Sequence, residues 1–481
     1  MAAPAQTITV LDPGLGRVAV SAESPLYMGP AALHGGSAAA GALLSFSRMN
    51  DVRSSLGFGQ LGGDVLKALS ERGGPVLVMP TDASNADTVS AVTQSGGGPE
   101  VTVAGEAHAR YTARVEVIAG GALGTGTFRY TLDRHSVTSG DASPTWSPTR
   151  TIPAGGSFVA GSSGLTFTFA AGTYVAGETY DFTAIPASPN GTDISDAVTA
   201  LLAITGLAFP QLVLSATYDD AGDAATIAAA IDGHMTSFAS GFRYSGALLD
   251  IGSGDSAANV LDESWSSRRI MPCYGLNLTS EVQAYEGHVT RQVGCVSDIA
   301  ARAARVLVST DLARFAEGSL GGVTQIDFDG YQDETLDAAG IATMRTWPDI
   351  AGFYVTNGRL KSPPGSDFTD WQFRRLMDLA CRTVYRAQLP FIAEGFRTVT
   401  GGAIDPLDKA DIESAVNGAL RNALLTPRNA RGRSGHVSAV SYTVDPTHNL
   451  NSTDTILVNV AIRPLGYAKF ITTQIGFSLT V

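Results

Sequence analysis

Residues 455–481 constrain this chain more than any other stretch. Ile456, Val458, Val460 and Ile462 alternate with Leu457, Asn459, Ala461 and Arg463, the period of two that marks a β-strand. Pro464-Leu465-Gly466 interrupts the pattern, and a second run places Ile471, Ile475, Phe477, Leu479 and Val481 on one phase. A strand left at an edge offers a row of N–H and C=O groups to any other chain. These strands therefore need a partner: the chain's own sheet takes them, or a neighbouring copy does by strand addition. The pattern alone leaves both open. The N-terminal stretch poses the same question. Ile8 and Val10, then Val18 and Val20, flank Asp12-Pro13-Gly14-Leu15-Gly16, an extended–loop–extended arrangement in which Pro and Gly forbid a helix.

A chain of 481 residues has room for roughly two to four domains and a substantial core. Hydrophobic residues make up 44% and charged residues only 16%, with 54 glycines. So neutral a surface fits a subunit largely covered by neighbours, since charge is depleted at interface centres; a GC-rich coding sequence accounts for the Ala and Gly equally well. The net charge of −13 and the absence of any Lys/Arg run give no reason to expect nucleic-acid binding. Residues 1–10 lack the charged-then-apolar organisation of a signal peptide, and no run approaches about 18 apolar residues, so no membrane span is expected. Cys273, Cys295 and Cys381 have no CxxC spacing and form neither a zinc site nor a redox dithiol by pattern. They are expected as reduced, mostly buried thiols in a protein folded in a cytosol. Their odd number leaves an inter-subunit disulfide through Cys273, Cys295 or Cys381 open.

The chain divides into segments of different texture. Residues 1–25 form an extended N-terminal arm. Residues 26–98 and 188–365 read as one α/β core. Within it, Asp64, Val65, Leu66 and Leu69 mark a helix closed by Gly73-Gly74, followed by the buried strand Pro75-Val76-Leu77-Val78-Met79-Pro80. Ile194, Val198, Leu201 and Leu202 mark another helix with Asp193 as its N-cap. The strand Leu212-Val213-Leu214, the helix of Ile227, Ile231, Met235 and Phe238, and the strands Leu248-Leu249-Asp250-Ile251, Arg305-Val306-Leu307-Val308 and Phe353-Tyr354-Val355 follow. Such alternation implies a mostly parallel sheet with helices on its faces. Residues 99–187 interrupt it with short period-two runs, among them Tyr111/Ala113/Val115/Val117, Phe128/Tyr130/Leu132 and Tyr180/Phe182, an inserted β-sandwich or barrel. Residues 366–454 hold a helix from about Asp370, a second over residues 409–425 started by Asp405-Pro406, and a strand at Val437–Val444. Residues 455–481 form the C-terminal strand arm. The fold class is α+β multidomain: an α/β core, an inserted all-β domain and two extended arms.

No catalytic constellation emerges. Gly120-Gly121-Ala122-Leu123-Gly124-Thr125-Gly126 lacks the Lys-Ser/Thr of a phosphate cradle and reads as a hairpin loop. Gly252-Ser253-Gly254-Asp255-Ser256 lacks GxSxG spacing and reads as a polar loop. Asp327, Asp329 and Asp333 have carboxylate spacing that suits calcium, but no Glu closes the pattern, and an acidic turn is the simpler reading. None of the 7 histidines is paired at i, i+4, and His34, His108, His135 and His288 sit among polar residues as surface positions. No catalytic residue, metal ligand or cofactor is expected.

Three stretches together resemble the contractile-tail sheath proteins of myovirus-type bacteriophages. The first is the ending, Val458-Asn459-Val460-Ala461-Ile462-Arg463-Pro464, then Phe470-Ile471 and Gln474-Ile475-Gly476-Phe477-Ser478-Leu479. The second is Gly352-Phe353-Tyr354-Val355-Thr356-Asn357-Gly358 before the helix at Trp371-Gln372-Phe373-Arg374-Arg375. The third, Gly120 to Thr125 with Phe128-Arg129-Tyr130-Thr131-Leu132-Asp133 and Gly177-Glu178-Thr179-Tyr180-Asp181-Phe182, is similar to a small β domain of phage virion proteins. The resemblance implies a non-enzymatic virion subunit, folded and assembled in the host cytoplasm. Such subunits stack as hexameric rings in a helical array around a tail tube protein, bounded by baseplate and neck or terminator proteins. They exchange strands through Ile8, Val10, Val18, Val20, Ile456, Val458, Val460, Ile462, Ile471, Ile475, Phe477 and Leu479, and contract to drive the tube through the host envelope. Segments 11–16 and 445–452 are the implied hinges. Three alternatives stand beside it: the sheath of a related contractile injection system, a baseplate or tube protein, and, from another class, an extracellular hydrolase with a carbohydrate-binding module at 100–187.

Overall fold

The computed structural model describes residues 24–31, 36–72, 74–132, 146–204, 207, 209–280, 291–427 and 435–469. They fall into two compact units, within Met1–Val306 plus Leu312–Trp371 and within Leu307–Asp311 plus Gln372–Val481.

The first unit is built on a six-stranded sheet. Its strands are β1 (Leu26–Pro30), β2 (Leu44–Phe46), β3 (Val76–Thr81), β4 (Gln211–Leu214), β5 (Gly246–Asp250) and β6 (Ile270–Cys273), in the order β6-β5-β4-β1-β3-β2. All pairings are parallel except that of the edge strand β2 with β3. Alternate side chains enter two separate cores. Tyr27, Val76, Val78, Val213, Leu248 and Met271 face helices α1 (Met49–Leu56) and α2 (Gln60–Arg72) and a later helix, Val296–Arg305. Leu26, Met28, Leu77, Met79, Leu212, Leu214 and Leu249 face α3 (Gly191–Ala203) and α4 (Ala221–Ser240). A sheet covered on both sides needs apolar residues in both phases. Each large aliphatic side chain so buried contributes roughly 1.5–3 kcal/mol, against about 1 kcal/mol net for a hydrogen bond, so the two filled faces decide the fold.

β1 is the central strand, although residues 26–30 carry no strand signal by alternation. Two flanking strands, Leu212 and Leu77, pair with Leu26. Two further elements differ from the expectation. The N-cap of α3 is Asn190, with Asp193 three residues in, completing a capping box and also holding Ser84. Arg305-Val306-Leu307-Val308 is no strand: Arg305 ends α5 (Val296–Arg305), where its guanidinium and that of Arg302 reach the carbonyls of Glu317, Gly318 and Ser319. Lys67 on α2 forms a buried ion pair with Asp298 on α5, whose carboxylate also accepts from Asn277.

Between β3 and α3 lies a β module of two sheets. One joins Ser157–Val159, Thr166–Phe169 and Val101–Ala104; the other is ordered around Thr179–Ile185, Tyr111–Ala119 and Thr127–Thr131. Tyr111, Ala113, Val115 and Val117 point inward, and the intervening Arg114 and Glu116 pair outside with Asp181 and Arg129. The core is aromatic, with Tyr130 against Phe167 at 5.4 Å and Phe167 against Phe182 at 5.8 Å, both edge-to-face. Arg110 pairs with Asp219, and Gln292 donates to Thr112 at 2.9 Å, fixing the module to the α/β core.

The second unit contains α6 (Trp371–Gln388) beyond its first residue, α7 (Pro406–Leu420), β7 (Val437–Val444) and β8 (Val458–Pro464). Asp405 caps α7 by accepting from the Leu407 N–H. Ile412, Val416 and Leu420 of α7 form a core with Tyr442 and Val444 of β7. Segment 445–452 is bonded within this unit, and segment 11–16 lies outside the described residues. Leu450 donates to the Gly402 carbonyl at 2.8 Å, Asn449 bridges Ala403, and Leu450–Thr453 forms a helical turn.

In the first unit, the buried indole of Trp371 lies against Gly246 at the start of β5, where a Cβ would sit 2.6 Å from the ring. Gly246→Ala is expected to destabilise the protein by about 1–3 kcal/mol, read as a lowered urea midpoint; an unchanged midpoint would show that the ring is free to move aside.

Candidate functional site

The motifs inspected for chemistry resolve into structural anchors. Asp250, fully buried at the end of β5, accepts from the backbone N–H groups of Tyr218, Gly252 and Ser253, each at 3.0 Å. It thereby shapes the loop that Gly252-Ser253-Gly254 begins, while Ser256 caps the short helix Ala257–Asp262. Asp327, Asp329 and Asp333 bond to different partners: Asp327 to Leu276 N–H, Asp329 to Tyr331 and Thr346, Asp333 to Thr335. Among the described residues, no group of three or more His, Cys, Asp or Glu is arranged to hold a metal ion, and no helix is long and apolar enough to cross a membrane. His108 is half-buried, its Nδ1 at 2.7 Å from the Ser162 carbonyl; His34, His135 and His288 lie outside the described residues. Cys273 and Cys295 have no exposed surface, so neither reaches a neighbouring subunit without opening the core. Of the three thiols, the half-buried Cys381 alone keeps exposed surface.

The feature without an internal purpose is β8. It pairs antiparallel with β7, with Val440 opposite Ile462, Tyr442 opposite Val460 and Val444 opposite Val458. Residues opposite each other share a face, so these three pairs form two apolar rows on the core side of the hairpin. The β7 row is well covered: Tyr442 is 2% and Val444 3% exposed. The β8 row is not, for Val460 is 39% exposed and Val458 and Ile462 are only partly buried.

The main chain is asymmetric in the same way. Tyr442 N–H donates to the side-chain oxygen of Asn417 at 2.9 Å, and its carbonyl accepts from the Asn417 amide at 2.8 Å. Both main-chain groups of Tyr442 therefore point away from β8. In an antiparallel ladder the residue opposite a non-bonded position is non-bonded too, so Val458, Val460 and Ile462 direct their N–H and C=O groups to the outer edge of β8. Among the described residues no backbone group meets them there. Among the described residues these three thus offer a partly covered apolar row and an unpaired outer ladder, which one further strand would extend. Beyond β8, Tyr467 donates to the Ser309 carbonyl at 2.6 Å and packs edge-to-face on Phe373, fixing where residues 465–469 leave the hairpin.

Val458, Val460 and Ile462 pair with β7 inside their own chain, and Ile456 packs on the same core. Ile8, Val10, Val18, Val20, Ile471, Ile475, Phe477 and Leu479 lie outside the described residues. Sequence reasoning missed Glu413 and Asn417, which close the β7 edge. Their i, i+4 spacing beside the Ile412/Val416 stripe was the available signal.

Residues 7–359 match the family model described as DUF2586, N-terminal domain, well over half of the chain. The chain belongs to the DUF2586 family. No curated protein matches it. Two solved structures share the fold of this DUF2586 protein. One is the cryo-EM structure of the anti-feeding prophage baseplate, 6-fold symmetrised, at 12% identity and TM-score 0.53, covering 100% of both chains. The other is the anti-feeding prophage helical sheath in the contracted state, at 13% identity and TM-score 0.52, covering 99% of both.

Two measurements test the geometry. In dissociated protein, the Val458, Val460 and Ile462 amides are expected to exchange at least about tenfold faster than those of Asn459 and Ala461; uniform protection along β8 would mean its outer edge is covered. Burial pushes the Asp250 and Asp327 carboxyls up to about 6, against about 3.9 when unfolded. The stability linked to protonating them is fully present below that unfolded value and lost as pH rises through about 6. Asp250→Asn keeps an acceptor for the three N–H groups and is expected to remove about half of the fall in urea midpoint between pH 4 and 6.5; an unchanged slope would show that Asp250 does not titrate there.

Proposed function

We propose that this DUF2586 protein is a structural subunit of a contractile tail-type apparatus, most simply its sheath, with no catalytic role. Copies polymerise as stacked rings around a tube, each receiving a strand from a neighbour along β8. The apparatus shortens to drive the tube through a target envelope, in a phage tail or a related injection system. The other partners are the tube protein and the baseplate and neck components, and the protein resides in the assembled particle.

The observation that carries this reading is the uncovered Val458/Val460/Ile462 row with its outward main-chain groups. A strand there supplies both the hydrogen bonds and the missing apolar cover. The fold shared end to end with the contracted anti-feeding prophage sheath supports the choice of assembly. The match to the baseplate structure favours a second reading, a ring-forming baseplate component.

Negative-stain microscopy of the purified full chain separates the two: long hollow cylinders are expected for a sheath, isolated rings for a baseplate part. A chain lacking residues 470–481 is expected to stay folded and give neither; normal cylinders from it would remove the terminal strand from the assembly.

A further inference from the structure

The hairpin has two edges, and they are treated differently. On the β7 side, Asn417 binds both outward main-chain groups of Tyr442, and Glu413 accepts from the Val444 N–H at 2.8 Å. Glu413 is itself held by Lys409 at 3.6 Å. The spacing is commensurate. Residues four apart on a helix rise about 6 Å, and residues two apart on a strand about 6.6 Å, so one face of α7 meets successive outward positions of β7. The side chains stand where the N–H and C=O groups of another strand would stand. An Ala at either position would free the main-chain groups that the side chain holds. On the β8 side nothing comparable is present among the described residues.

We propose that Glu413 and Asn417 are edge guards that make the β7–β8 hairpin a one-sided acceptor, so that a strand from another copy of this chain enters along β8 and never along β7. The proposal rests on the strand-addition reading above and specifies its direction. An acceptor open on both sides would recruit strands on either flank and let growing assemblies branch or stick laterally. Closing one flank gives each subunit a single address for its incoming strand. Because Ile412 and Val416 already anchor α7 in the core, the guards' polar contacts are not needed to hold the helix in place.

The test uses the full chain with Glu413→Ala/Asn417→Ala, alongside Asn417→Asp. The latter keeps the oxygen that receives the Tyr442 N–H and removes the amide that binds its carbonyl, and it serves alone if the double variant precipitates on expression. Two readouts are taken: cryo-EM of assemblies and hydrogen exchange of dissociated protein. In the parent, an added strand is expected beside β8 and none beside β7. In the double variant, exchange at Tyr442 and Val444 is expected to rise about tenfold, and assemblies are expected to bundle laterally or carry a strand beside β7. Asn417→Asp is expected to show the same lateral association to a smaller extent. A parent assembly with a strand beside β7 overturns the proposal while leaving strand addition intact. Variants that assemble like the parent, whether or not their melting temperature falls, also overturn it and leave the two residues a purely structural role. A parent that forms no assemblies overturns the strand-addition reading and this proposal with it.

Discussion

Every strand has two flanks of main-chain donors and acceptors, and a soluble sheet must dispose of those at its edges. Several such edges in this protein are short or bonded. The central sheet ends on one side in the three-residue antiparallel strand β2, and on the other Ala342 donates to the Pro272 carbonyl and accepts from the Tyr274 N–H beside β6. One sheet of the β module ends in the two-residue strands Thr88–Val89 and Arg150–Thr151. β7 is sealed by side chains from α7. Among the described residues no backbone group meets the outer edge of the seven-residue β8, and its apolar row is half covered. That contrast, more than any single contact, links the fold to assembly.

How much of this was legible in the sequence depends on where each residue's partners lie. Tyr111, Ala113, Val115 and Val117 announce a strand because Thr112, Arg114 and Glu116 between them face water. The α4 stripe of Ile227, Ile231, Met235 and Phe238 is equally plain. β1 was invisible for the opposite reason: both its faces are apolar, so Leu26-Tyr27-Met28 has no polar phase to alternate with, and Gly29 and Pro30 read as breakers. Arg305-Val306-Leu307-Val308 looked like a strand because a short apolar run has no period, and the preceding helix claims its first residue. Asn190 and Asp193 are both good caps, and only the geometry shows which carboxamide or carboxylate receives which N–H.

The site divides along the same line. Val458, Val460 and Ile462 were identifiable as strand residues from alternation alone. That they lie in a hairpin within their own chain could not be read, because it follows from the pairing of Tyr442 with Val460, 18 residues apart along the chain. Nor could the sealing of β7, which depends on α7 lying alongside it. Likewise the Gly252 loop and the 327–333 carboxylates resemble chemistry in sequence, yet in the structure each carboxylate is occupied by nearby backbone or hydroxyl donors that fix a turn. The fold tolerates extensive substitution: it is shared with two solved neighbours at 12–13% identity.

The β module leaves and re-enters the α/β core through a single paired crossing, where Asn85 and Ser188 exchange backbone hydrogen bonds of 3.1 Å in both directions. Everything between these two positions is an excursion whose ends already meet. A different compact body could be grafted at that clasp without changing the register of any strand in the central sheet, which makes residues 85 and 188 natural junctions for inserting a foreign domain.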